Sequence, residues 1–82
     1  MTHSVIRWGV EWRSENRLEG KQRRIMWCNC FPLLFLTRKQ ARDYIAEQYG
    51  YIATRRDLRL EPHGWRMPAA VRVKVTVRRV QP

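Results

Sequence analysis

Leu36-Thr37-Arg38-Lys39-Gln40-Ala41-Arg42-Asp43-Tyr44-Ile45-Ala46-Glu47-Gln48-Tyr49-Gly50 carries the clearest helix start in the chain. Thr37 suits an N-cap, because a threonine hydroxyl accepts from a free N–H of the first turn, and Gln40 three residues on completes a capping box. Leu36 is placed to pack on Ala41 as a hydrophobic staple. Ala41, Tyr44, Ile45, Gln48 and Tyr49 recur at helical spacing, and Gly50 suits the left-handed residue that closes a helix. The pattern predicts a helix over about 38–49. Its solvent face holds Arg38, Lys39, Arg42 and Glu47. Two cations in the first turn oppose the helix dipole by a few tenths of a kcal/mol each. Helix stability therefore does not account for them.

The flanks of this helix read as strands. From Val5 to Arg13, Ile6, Trp8, Val10 and Trp12 fall on one face while Arg7, Glu11 and Arg13 fall on the other. Ser14 to Lys21 is a polar turn in which Gly20 can take a positive φ. Arg23 to Cys28 reads as the returning strand, with Ile25 and Trp27 on the same face, so a hairpin is predicted over about 5–28. On this reading Trp8, Trp12 and Trp27 are core. Pro32 stops the strand, and Leu33 to Leu36 forms an apolar connector or short strand. After the helix, Pro62, Gly64 and Pro68 break the pattern, which predicts an ordered loop over about 51–70 with one helical turn permitted at Thr54 to Asp57. Tyr51, Ile52, Leu58, Leu60, Trp65 and Met67 anchor that loop. Val71, Val73, Val75 and Val77 then alternate with Arg72, Lys74, Thr76 and Arg78, the mark of a last strand over about 71–78. The expected fold is α+β in ββαβ order: a three-stranded, mostly antiparallel sheet with one helix packed on its Trp/Val face. The opposite face is expected to show Arg7, Arg13, Arg72, Lys74 and Arg78.

The 82 residues have room for a single domain, 1–82, and 44% of them are hydrophobic, enough for the chain to fold. Seventeen Lys and Arg against seven Asp and Glu give a net charge of +10, which excludes an acidic mimic of nucleic acid. Fourteen of the 17 cations are Arg, whose guanidinium fork binds phosphate and carboxylate bidentately and stacks on aromatic rings. Cys28 and Cys30 are the two cysteines, too few for the disulfide frameworks of small secreted domains, and they point to a reducing compartment. The longest apolar run, Phe31 to Leu36, is interrupted by Pro32 and far shorter than the roughly 20 residues of a membrane span. The N-terminal residues lack the pattern of a signal peptide. A cytoplasmic protein with no membrane partner is expected.

The cations form the strongest functional signal. Arg38, Lys39 and Arg42 stand at the helix start, Arg55, Arg56, Arg59 and Arg66 in the loop region, and Arg72, Lys74 and Arg78 on the last strand. A polyanion binds such a surface by counterion release, with affinity that falls steeply with salt. The competing account is solubility, but a solubility surface mixes both signs and this set lacks balancing acids. Trp65 sits in Glu61-Pro62-His63-Gly64-Trp65-Arg66-Met67-Pro68, where it either contacts a ligand or plugs the sheet edge. Cys28, Cys30, His3 and His63 number four, as a zinc site requires, yet a single residue separates the thiols and no H-x-x-x-H follows, so no metal and no cofactor are expected. Neither histidine has an orienting partner in its own segment except His63 near Glu61, which turn structure explains, and there is no glycine-rich phosphate loop. No catalytic residue is assigned, and the chain is not expected to be an enzyme.

Phe35-Leu36-Thr37-Arg38-Lys39-Gln40-Ala41-Arg42-Asp43-Tyr44-Ile45, with Tyr49-Gly50-Tyr51-Ile52, Arg55-Arg56-Asp57-Leu58-Arg59 and the EPHGWRMP string at 61–68, resembles a group of short uncharacterised proteins encoded by bacteriophages and prophages. The similarity covers residues 35–73. It implies a phage or mobile-element setting in a bacterial host cell, and no catalytic residue. Small phage proteins commonly bind nucleic acid or disable a host defence complex, as anti-CRISPR proteins do. The primary expectation is therefore a non-enzymatic module that binds DNA or RNA through Arg38, Lys39, Arg42, Arg55, Arg56, Arg59, Trp65, Arg66, Arg72, Lys74 and Arg78. The alternative is an anti-defence inhibitor of a host nuclease or nucleoprotein complex. A homodimer paired through the last strand is a third reading.

Overall fold

In the computed structural model, which describes residues 2–80, the elements follow the order β1 (Thr2–Asn16), β2 (Gly20–Ile25), β3 (Trp27–Cys28), β4 (Phe31–Pro32), β5 (Leu34–Phe35), α1 (Arg38–Thr54), α2 (Arg56–Arg59) and β6 (Trp65–Arg78). The fold is α+β with one main helix, as the sequence predicts. The sheet is larger than expected: four strands, β1, β2, β5 and β6, with β3 and β4 in a second sheet of two. β1 is the spine. One of its edges pairs with β6 from Thr2↔Arg78 to Ser14↔Trp65. Its other edge takes β5 at Trp8 and Gly9 and β2 from Glu11 to Asn16, all antiparallel.

The helix start follows the sequence. The Gln40 N–H donates to Thr37 Oγ1 at 3.2 Å, and Gln40 Oε1 accepts from the Thr37 N–H at 3.3 Å. Leu36, expected to pack on Ala41, is two-thirds exposed. Thr37→Ala is expected to lower stability by about 1 kcal/mol, the usual worth of such a cap, read as a lower urea midpoint at unchanged slope. The predicted end at Gly50 is overturned, because α1 continues to Thr54. A mid-helix glycine costs about 1 kcal/mol, whereas burying an isoleucine returns roughly 1.5–3 kcal/mol, and the extra turn carries Ile52, which is 1% exposed. With Val10, Ala41, Ile45 and Leu58, Ile52 makes the buried core between α1 and the sheet.

The loop predicted over 51–70 is also corrected. Its first part is helical and its last part, Trp65 to Ala70, is strand. Pro68 is accommodated by a register shift. Glu11 pairs with Ala69 and Arg13 with Arg66, so Met67 and Pro68 together stand opposite Trp12, a bulge where a residue without an N–H loses little. Pro68 is buried, and Ala70, opposite Val10 on the helix side, adds a second small side chain beneath α1. The predicted strand from Arg23 to Cys28 divides at Met26, whose N–H donates to the Val10 carbonyl at 2.9 Å. Trp27 and Cys28 then pair with Pro32 and Phe31 around Asn29, at φ 57°. Trp27 therefore leaves the core and is 63% exposed.

Pairing parity corrects the predicted face assignment. Directly opposed residues of an antiparallel pair share a face. Trp8 opposes Arg72 and Ile6 opposes Lys74, so these cations lie on the Trp8 side, the side that α1 covers. The valines oppose His3, Val5, Arg7 and Gly9 on the reverse side. A Cβ on Gly9 would stand 3.3 Å from Val73 Cγ1, which shows how closely the valine row lies against β1 there. The helix packs on the Trp face, and the Val face is turned away from it.

Candidate nucleic-acid interface

Beyond the start of α1, residues 2–7 of β1 pair with residues 73–78 of β6 and with no other strand among the described residues. Six residue pairs at about 3.4 Å per residue make a two-stranded ribbon roughly 20 Å long. It contributes to the 48 Å long axis of a molecule 29 Å and 19 Å across the others. Residues 2–10 and 62–80 contain no Asp or Glu, so all seven acids lie elsewhere. Four of those seven are engaged: Glu11 with Arg13 at 2.9 Å, Asp43 with Lys39 at 2.8 Å, Asp57 with Arg55 at 2.7 Å, and Glu61 accepting the Arg17 N–H at 3.1 Å.

The predicted contact residues separate into two groups. Arg38, Lys39 and Arg42 stand at the start of α1, Arg72 faces Trp8 at the base of the ribbon, and Lys74 and Arg78 follow along it, Arg78 at its far end opposite Thr2. The Arg38 guanidinium stands 6.0 Å from the Trp8 ring centroid, and Arg38 and Arg42 line a cleft of about 390 Å³ against Met67 to Ala70 of β6. Arg72, Lys74 and Arg78 continue on the same side along the ribbon, and all are exposed. Of the six, Lys39 spends part of its charge on Asp43, whose hydrogen bond raises the lysine pKa. Among the described residues no carboxylate lies within ion-pair distance of the other five.

Arg55, Arg56, Arg59 and Arg66 lie at the opposite end of α1. Arg55 pairs with Asp57, and that hydrogen bond holds the Asp57 carboxyl below its ordinary range. Arg66 Nη1 donates to the Arg59 carbonyl at 3.1 Å and to its neighbour Trp65 at 3.3 Å, which ties α2 to β6. Trp65 is half-buried in β6, edge-on to Trp12 at 5.4 Å and to His63 at 5.2 Å, a packing position. Sequence reading missed Arg24 and Trp27, which share a groove with Trp12 and Trp65. The signal for Trp27 is Pro32 with Asn29, which together end the strand and turn the indole out.

Cys28 and Cys30 are exposed free thiols, and among the described residues no three His, Cys, Asp or Glu side chains are grouped to hold a metal. No helix among them is long and apolar enough to cross a membrane. No family model, no curated protein and no solved structure matches the chain.

Proposed function

We propose that the chain is a non-enzymatic phage-type module that binds duplex nucleic acid by laying the cationic side of its ribbon against the phosphates. The supporting observation is that Arg38, Arg42, Arg72, Lys74 and Arg78, none within ion-pair distance of a carboxylate among the described residues, follow one side of the sheet from the start of α1 to the tip of an acid-free ribbon two strands wide. The major groove of B-form DNA is about 12 Å wide and admits such a ribbon, whereas the deep, narrow major groove of A-form RNA does not. Duplex DNA is the preferred partner. Ser4 and Thr76, opposed across the ribbon at 3.4 Å, add hydroxyls on the same side that can hydrogen-bond to base edges or phosphates.

Five phosphate contacts give a slope of log K on log salt of about −4.5, so affinity for a duplex falls about 500-fold between about 50 and 200 mM salt. Fluorescence anisotropy of a labelled duplex titrated at the two salts measures this. Absence of binding at the lower salt overturns the reading. Recovery of a defined host nuclease or nucleoprotein complex from lysate, without binding to free duplex, would then favour the anti-defence inhibitor.

A further inference from the structure

A groove of about 480 Å³ opens at the far end of α1, between β3 and the aromatic cluster, away from the cationic ribbon. Trp12 is its floor. Tyr49 stands edge-on to Trp12 at 6.2 Å and 64°, and Trp65 at 5.4 Å and 75°, so the three rings form a corner. Trp27 and Tyr51 stand at the rim, 63% and 44% exposed. Among the described residues Trp27 and Tyr51 pack against no other ring, although aromatic pairs hold Trp12, Tyr49 and Trp65 together. Exposing an indole gives up one of the largest apolar burials a side chain offers, so folding does not explain its position.

The lining chemistry selects the ligand. Among the described residues no carboxylate lines the groove, and its one charged side chain is Arg24, the direct cross-strand neighbour of Trp12. An ammonium ligand of the kind held in aromatic cages would face that guanidinium unshielded. A flat ring attached to an anion fits both features: stacking on the rings and a charge-assisted bond to Arg24. Burial, with Tyr44 and Tyr51 beside it, raises the pKa of the Tyr49 phenol, leaving an O–H donor at neutral pH. One cation without a phosphate-binding loop is a poor holder of a free nucleotide, so the ring must arrive on a strand whose other phosphates meet cations elsewhere on the protein.

We propose that this groove takes an unpaired base of a single-stranded nucleic-acid segment, stacked against Trp27 with its phosphate on Arg24. The assignment rests on the reading that the partner is nucleic acid, but it concerns a different surface and a different structural form of that partner. The probe is a labelled single-stranded tetranucleotide, compared with an abasic tetranucleotide of equal charge, on the full chain. A stacked base is worth roughly 5- to 100-fold in affinity. The wild-type protein is expected to prefer the base-bearing strand by that factor. Trp27→Ala, at an exposed position that leaves the core intact, is expected to abolish the preference, and Arg24→Gln to weaken binding of both strands. Chemical-shift changes at the Trp27 indole N–H should accompany binding of the base-bearing strand. Equal binding of the two strands, or an unchanged preference in Trp27→Ala, overturns the assignment, as does equally tight binding of an acidic tyrosine peptide of the same charge. Duplex binding that persists in Trp27→Ala, alongside equal binding of the two tetranucleotides, removes the groove and leaves the ribbon reading standing. Preferential binding of the base-bearing strand without duplex binding does the reverse.

Discussion

Gly64→Ala is expected to destabilise the protein by about 3 kcal/mol or more, the largest effect among the four glycine-to-alanine changes. Gly64 has φ +64°, and a Cβ built there would lie 1.8 Å from the Glu15 carbonyl oxygen and 2.6 Å from its carbon. Both atoms are backbone near the end of β1, where Glu15 pairs with Lys21 of β2, so neither can swing aside. The contact is close because the turn is bonded to β1: the Glu15 N–H donates to the Gly64 carbonyl at 2.8 Å, and Asn16 Nδ2 donates to the His63 carbonyl at 3.0 Å. A non-glycine residue in the left-handed region costs about 1–2 kcal/mol, and each hydrogen bond broken by separating the two segments costs about 0.5–1.5 kcal/mol more. Small domains have total stabilities near the low end of about 5–15 kcal/mol, so a loss of about 3 kcal/mol leaves about 2, and the urea midpoint should fall by more than half at unchanged slope. Gly20→Ala separates the two costs. Gly20 also has positive φ, at 73°, but nothing lies within 4 Å of its Cβ position. It should lose about 1–2 kcal/mol, from backbone strain alone. Equal losses in the two variants would show that the turn yields and that the close approach to Glu15 contributes nothing.

The Gly64 contact also marks where sequence reading stops. Thr37 and Gln40 are legible because a capping box is closed within four residues, and the alternation of Val71 to Val77 is legible because strand period is local. Which side those valines take depends on register between strands more than 60 residues apart, and a shift of one residue would exchange the faces. The deciding side chains are small. Gly9, with no Cβ, lets Val73 lie against β1, and Pro68 and Ala70 give α1 its seat beside a bulge. A glycine in the middle of an alternating strand is itself a signal of close approach, and Gly9 was there to be read. The prolines misled in the other direction. Pro68 ends a central strand but is tolerated in β6, which pairs on one edge among the described residues. The cations were each visible, but their division into two ends was not. The 17 residues of α1 carry Arg55, Arg56 and Arg59 away from the helix start, and parity puts Arg72, Lys74 and Arg78 on the same side as Arg38.

That division gives the duplex reading its sharpest consequence. Replacing Arg72, Lys74 and Arg78 together by alanine is expected to flatten the salt slope by about 2.7 and to weaken duplex binding about 500-fold near 100 mM salt, since each lost phosphate contact removes about 0.9 from the slope. Arg72 is exposed at the base of the ribbon and Lys74 and Arg78 are exposed along it, and among the described residues none is in an ion pair, so the fold should be unaffected and circular dichroism should be unchanged. The companion variant replaces Arg55, Arg56 and Arg59, removing the same charge from the other end of α1. If binding depended on net charge alone, the two triple variants would lose affinity equally, because each leaves a formal charge of +7 from the original +10. With the ribbon as the contact surface, the second variant should keep the wild-type slope, with only a several-fold loss from the long-range field, which fades beyond a Debye length of about 10 Å near 0.1 M salt. Equal slopes for the two variants would replace a docked ribbon with a diffuse electrostatic association.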